Sequence, residues 1–130
     1  MRRLTPIAAG VFVALAALSA TAAVGADALR GERIYERCAA CHSLDRDRTG
    51  PKHCGLFGRR AGSLPEFQYS PAMRASGIVW NEKTLDRFLA APVKTVPGTF
   101  MGYAGVDDPG ERADLIAYLE AANGSRALCP

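Results

Sequence analysis

Five consecutive residues, Cys38-Ala39-Ala40-Cys41-His42, carry the clearest chemistry in the chain. Two thiols three positions apart at a helix end can both reach the vinyl groups on one edge of a haem and form two thioethers. The next residue, His42, then falls beneath the iron and can ligate it. Other chemistries use the same residue types. A redox centre of thioredoxin type needs a preceding strand and a βαβ context, and the sequence offers neither. A zinc site would add His53 and Cys54 to Cys38 and Cys41, at a spacing that matches no common zinc pattern. A simple disulfide between Cys38 and Cys41 is the plainest alternative. The five-residue run is far more specific for one covalently attached haem c per chain than for any of these.

A haem that only passes electrons needs a second axial ligand. His53, Met73 and Met101 are the strong candidates. His53 lies eleven residues after His42, so a short loop would have to cross the haem edge to use it. Met73 falls in a short helical segment, where a methionine ordinarily packs in a core. Met101 follows Pro97-Gly98-Thr99-Phe100, a stiff segment able to hold a thioether at fixed geometry. The loop context favours Met101 and leaves the other two open.

The elements that must position these groups come from a small domain. Of 130 residues, the first 26 resemble an export signal. Met1-Arg2-Arg3 is positive, Ile7 to Ala23 is apolar or small apart from Ser19 and Thr21, and Val24-Gly25-Ala26 has the small residues a signal peptidase requires. An uncleaved membrane anchor is the alternative, because the stretch approaches the roughly 17–25 residues that span a bilayer. Cleavage before Asp27 leaves a domain of residues 27–130 with a formal charge of +1. So small a charge argues against a nucleic-acid binder, and the absence of a glycine-rich phosphate motif argues against a nucleotide fold. An exported domain of this size gains much from a cofactor or a cross-link.

Helices alternate with Gly/Pro loops. Asp27 caps a first helix expected to run to about Cys38, with Gly31 and Tyr35 on one face. Ser43 to Gly62 reads as loop. Ser70-Pro71 opens a short helix that Gly77 ends, and Asn81 opens another that Pro92 stops. Asp108, Pro109 and Glu111 start the last helix, whose apolar stripe is Leu115, Tyr118, Leu119 and Ala122. No period-2 strand is evident. The expected fold is all-α, with loops taking an unusually large share and something other than side chains filling the middle.

With these segments in order, the chain resembles the class I cytochromes c of the mitochondrial-like group. Thr49-Gly50-Pro51 is similar to the family turn whose proline carbonyl accepts the ring N–H of the proximal histidine. Gly55-Leu56-Phe57-Gly58-Arg59 resembles the loop after it. The resemblance implies that Arg59, Tyr69 and Trp80 surround a haem propionate. It implies that Pro97 to Met101 presents the distal ligand, and that Glu111 to Leu119 forms the C-terminal helix, crossing the first helix where Gly31 and Tyr35 meet Tyr118. It also brings Cys129, beyond that helix, near the loop carrying Cys54, so the two remaining cysteines can pair; two free thiols, or a bond between molecules, are the alternatives. Departures stand out. Phe88 replaces a frequent tyrosine, Met73 a frequent asparagine, His53 a leucine and Phe100 a lysine.

The function implied is one-electron transfer by a His/Met-ligated haem, with His42 proximal and Met101 distal, in a monomer that is not an enzyme. Its partners would be redox proteins in the periplasm or at the membrane, with no nucleic acid and no membrane span once the signal is removed. Two alternatives remain. One is an electron-accepting subunit of a periplasmic dehydrogenase; the other is a peroxidase or ligand-binding haem protein with an open sixth position. Residues 30–60 carry a net charge of +4 and residues 107–130 a net charge of −3, a dipole able to orient an encounter.

Overall fold

A computed structural model describes residues 25–130. The export segment expected over residues 1–26 lies outside the described residues except for its last two positions. Among the described residues the chain forms five helices: α1 (Ala28–Tyr35), α2 (Pro71–Ala75), α3 (Glu82–Ala90), α4 (Pro92–Thr95) and α5 (Pro109–Asn123). One isolated antiparallel bridge, Arg60 to Val79, is the sole β-pairing among them. The all-α expectation therefore holds.

Local chemistry sets the helix ends. The Asp27 carboxylate accepts from the Leu29 and Arg30 amides, satisfying donors that the first turn of α1 leaves free. Helix α1 stops at Tyr35 rather than Cys38. Beyond it the bonds tighten: Cys38 N–H donates to Tyr35 O at 2.8 Å and Cys41 N–H to Cys38 O at 3.1 Å. Such turns hold fewer residues each than an α-helix, and they carry the two cysteines and His42 past the end of α1. Asn81 and Thr84 cap α3 reciprocally. Pro92 ends α3 as expected but also opens α4, since a proline at the first helical position gives up only an amide that would be unpaired anyway.

Helices α1 and α5 cross at Gly31. A Cβ at that position would run into the Asp114 carbonyl and the Tyr118 Cβ, so only glycine lets the backbones meet. Tyr35 packs beside the same crossing, its ring 5.2 Å from that of Tyr118. A buried polar contact locks the pair. Asp114, 6% exposed, accepts from the Asp27 amide at 2.6 Å and from Arg30 Nε at 2.8 Å. The stripe expected on α5 left Asp114 out, because a lone acid beside apolar positions reads as surface until its partner helix is in place. Helix α3 joins α5 through Arg112 Nε and Asp86 at 2.7 Å.

The Arg30 hydrogen bond, followed by the Asp27 amide, holds the Asp114 carboxyl below the usual carboxylate range. A carboxylate with a lowered folded pKa stabilises the fold above its unfolded pKa and loses that effect as pH falls through the folded value. Asp114→Asn is therefore less stable than the parent at neutral pH. The difference narrows on acidification toward pH 2, and thermal melts of both proteins across that range measure it.

Candidate functional site

The core residues Leu85, Phe88, Leu89, Leu115 and Leu119 do not close on one another. They line an apolar cavity of about 380 Å³ that also reaches Cys38, Cys41, His42, Met73 and Met101. Every residue that the sequence singled out for haem attachment, ligation or haem contact lines this one space: Pro51, His53, Arg59, Tyr69 and Trp80 are there too.

The wall that carries His42 is built from the turn after α1. Neither Cys38 nor Cys41 is bonded to another sulfur, so the simple-disulfide alternative is not what the chain forms. Burial raises the Cys38 thiol above its ordinary value. His42 N–H donates to Cys38 O at 2.9 Å, which fixes the histidine backbone directly after the cysteines. The His42 Nδ1 lies 2.7 Å from the Pro51 carbonyl oxygen. A carbonyl can only accept, so Nδ1 carries the proton and Nε2 keeps its lone pair. Burial pushes the His42 pKa down, against the smaller opposing effect of the Pro51 bond, and keeps the ring neutral. Gly50 packs against the same ring, and a Cβ there would overlap it. The Thr49-Gly50-Pro51 turn thus needs its glycine for room and its proline carbonyl for the tautomer.

His53 lies beside His42, not across the cavity from it. The two rings stack with centroids 4.3 Å apart at 22°. His53 Nδ1 is 3.0 Å from the Tyr35 hydroxyl. Burial, then the charges of His42 and Arg59, push its pKa down to about 3. A buried imidazole needs a polar partner, and the Tyr35 hydroxyl supplies it.

Trp80 is buried, and its amide donates to Arg59 O at 2.9 Å. The half-buried Arg59 guanidinium donates to the Lys52 and Cys54 carbonyls. Burial lowers the pKa of Arg59 and raises that of the neighbouring Tyr69. Met73 is buried in α2, whereas Met101 is partly buried in the loop after Thr99. The Thr99 hydroxyl accepts from the Met101 amide at 3.2 Å. Phe100, beside it at the cavity mouth, is 72% exposed.

A flat, largely apolar group with a polar edge fits this enclosure. The thiols stand at one wall, an imidazole presents a free Nε2, thioethers are present as soft ligands, and Arg59 with Tyr69 can meet acidic groups. A model of the cytochrome c family matches residues 28–123. The chain belongs to the cytochrome c family. It is 40% identical to cytochrome c2 of Rhodomicrobium vannielii over 82% of this chain and 87% of that one. Cytochrome c2 of Blastochloris viridis is 39% identical over 88% of this chain and 91% of its own length. The solved structure of cytochrome cH from Methylobacterium extorquens superposes with a TM-score of 0.71 at 38% identity, covering 73% of this chain and 98% of that one. This cytochrome is a class I electron carrier with a covalently attached c-type haem, and not an enzyme.

Residues that the sequence did not flag hold the loop of residues 53–56 in place. Asn123, in the last turn of α5, accepts from the Gly55 and Leu56 amides and donates to His53 O at 3.1 Å. Nothing in its local sequence marks it, because its partners are some 70 residues away. Cys54 and Cys129 form a disulfide beside this clamp, as the family resemblance implied. The bond closes a loop of 75 residues and ties the chain end to the segment carrying Pro51 and His53. Cross-links of this kind contribute about 2–4 kcal/mol. Replacing both cysteines by serine lowers stability by about that amount in denaturant titrations. The parent holoprotein, unfolded without reductant, exposes no titratable thiol; two per chain would refute the bridge.

Proposed function

We propose that this cytochrome is an exported shuttle in which Cys38 and Cys41 carry the thioethers, His42 Nε2 is the proximal iron ligand and Met101 the distal one. The observation that carries the reading is the His42–Pro51 bond, which leaves a neutral ring with its lone pair on Nε2 next to two unpaired thiols. The haem supplies a one-electron couple when bound. The chain does the rest. His42 is held in one tautomer, and the apolar walls exclude water and so favour the less charged ferrous state. Pro51, Arg59, Tyr69 and Trp80 form the haem environment, with Arg59 and Tyr69 at its polar edge.

His53 is a poor candidate for the distal ligand, since a ring stacked on His42 cannot approach the iron from the opposite face. Met73 and Met101 both reach the cavity. Met101 is favoured because its loop is pinned through Thr99, while Met73 is held in the core by α2. A soft thioether on the iron stabilises the ferrous form and takes the position that a small molecule would need.

Export rests on the first 26 residues and on the cysteine pair, which oxidising compartments permit. No helix among the described residues is long and apolar enough to cross a membrane. Cleavage before Asp27 would also turn an amide into an ammonium group beside the Asp114 carboxylate, where the Asp27 nitrogen already lies 2.6 Å from Oδ1. Redox proteins are the partners, approached through the haem edge near Phe100. The opposed charges of residues 30–60 and 107–130 favour an acidic docking face, and the mature charge of +1 makes steering weak.

Two measurements test this reading. Denaturing mass spectrometry of the exported protein gives residues 27–130 plus one haem; the polypeptide mass alone, from a host with working haem attachment, overturns the thioethers. The ferric protein shows the weak near-infrared band of sulfur–iron ligation and, once reduced, binds carbon monoxide poorly. Met101→Ala loses the band, lowers the potential and binds carbon monoxide, whereas Met73→Ala keeps the band. A parent protein without the band that binds carbon monoxide readily removes the support for Met101 and for the carrier geometry proposed.

A further inference from the structure

We propose that His53 is a positioning residue for the iron ligand: held by the Tyr35 hydroxyl, its ring stacks on His42 and fixes the rotation of that imidazole about the ligand axis. The inference rests on the reading of His42 as the proximal ligand and goes beyond it. The Pro51 hydrogen bond ties His42 at a single atom, Nδ1, across 2.7 Å. One such bond sets the tautomer, but as a single soft contact off the Cβ–Cγ axis it leaves the ring plane some freedom to rock. A second flat ring, 4.3 Å away and within 22° of parallel, removes that freedom. An aliphatic side chain could fill the same volume, but it presents no plane to align with.

The anchor is equally specific. Tyr35 is buried, its hydroxyl bonds His53 Nδ1 at 3.0 Å, and no other hydrogen-bond partner of that hydroxyl is found among the described residues. Burial, the largest influence, raises the Tyr35 pKa and keeps its proton on. The hydroxyl therefore donates, and His53 Nδ1 accepts. The backbone of His53 is fixed independently, since its carbonyl accepts from Asn123 Nδ2 at 3.1 Å. With the backbone and one ring nitrogen both held, the ring has little freedom left. Tyr35 itself stands at the α1–α5 crossing, against Tyr118. The orientation of the ligand plane is thus set from the helix crossing through two side chains, Tyr35 and His53. Partners outside the ligand shell commonly orient metal-bound imidazoles in this way.

The test uses the ferric holoprotein, in which the orientation of the axial imidazole sets how unpaired spin spreads over the haem. Proton NMR of the four haem methyl groups and the largest electron paramagnetic resonance g value read that orientation. His53→Leu changes the spread of the methyl shifts and moves the g value. His53→Phe, which keeps a flat ring, returns both toward the parent. Tyr35→Phe, which keeps the stack but frees its far end, falls between. The near-infrared band and low-spin spectrum persist in all three, which separates this proposal from the assignment of the ligands; a parent protein without a low-spin spectrum would refute that assignment instead. A purely structural role lowers the melting temperature and leaves the methyl pattern alone. Methyl shifts in His53→Leu that superpose on the parent overturn the proposal, as do equal displacements in His53→Leu and His53→Phe. If His53→Leu fails to accumulate as holoprotein, unchanged shifts in Tyr35→Phe overturn it.

Discussion

Leu85, Phe88, Leu89, Leu115 and Leu119 surround an apolar space of about 380 Å³ rather than a packed centre. At ~24 cal/mol per Å³, a gap of that size in a core would cost on the order of 9 kcal/mol. That is comparable to the whole stability of a small domain. A chain this short can tolerate such an architecture only if a bound group completes the core, and the other features follow from that requirement. Loops can take a large share of the chain because they wrap a rigid group instead of packing on one another. The polypeptide closes the rest by inexpensive means: a glycine at one helix crossing, a buried acid shared by two chain segments, and a disulfide at the end of the chain.

The two walls of the site are built by different physics. On the His42 side the controlling interactions are polar and directional. Pro51 O sets the tautomer, Gly50 leaves room for the ring, and Asn123 and the disulfide hold the loop that supplies Pro51 and His53. On the methionine side the wall is largely apolar. Phe88 and Met73 stand where the family often has tyrosine and asparagine, and both are buried. The hydroxyl and the amide those residues would bring are absent from that wall. Trp80 packs on Phe88 with ring centroids 5.1 Å apart, so the buried indole supports the apolar side while its backbone holds Arg59 at the polar edge.

Phe100 is exposed next to Met101, and the net positive charge lies over residues 30–60, where seven arginines and one lysine outnumber four acids. An exposed aromatic contributes contact area that does not depend on salt, whereas a dipole orients the approach and fades with ionic strength.

The sequence alone was sufficient for the cofactor, the family and four of the five helices, with α1 ending short of the expected Cys38 and α4 not foreseen. Cys38, Cys41 and His42 are adjacent, so their geometry is local, and spacing reports it directly. The same holds for Asp27, Ser70, Asn81 and Asp108, each of which bonds an amide two or three residues on. The Tyr35–Tyr118 contact and the Cys54–Cys129 bond join distant segments. They were legible only because the family resemblance supplied the fold. What remained for the tertiary structure was polar pairing across the chain. Asp114 reads as a surface acid until α1 brings Arg30 and the Asp27 amide to it. Asn123 reads as the frayed end of a helix until residues 53–56 fold over it. His53 reads as a spare ligand until its ring is seen stacked on His42 and bonded to Tyr35. Spacing encodes contacts within a turn or two; a hydrogen bond between residues far apart in the sequence exists only after the chain has closed around its core.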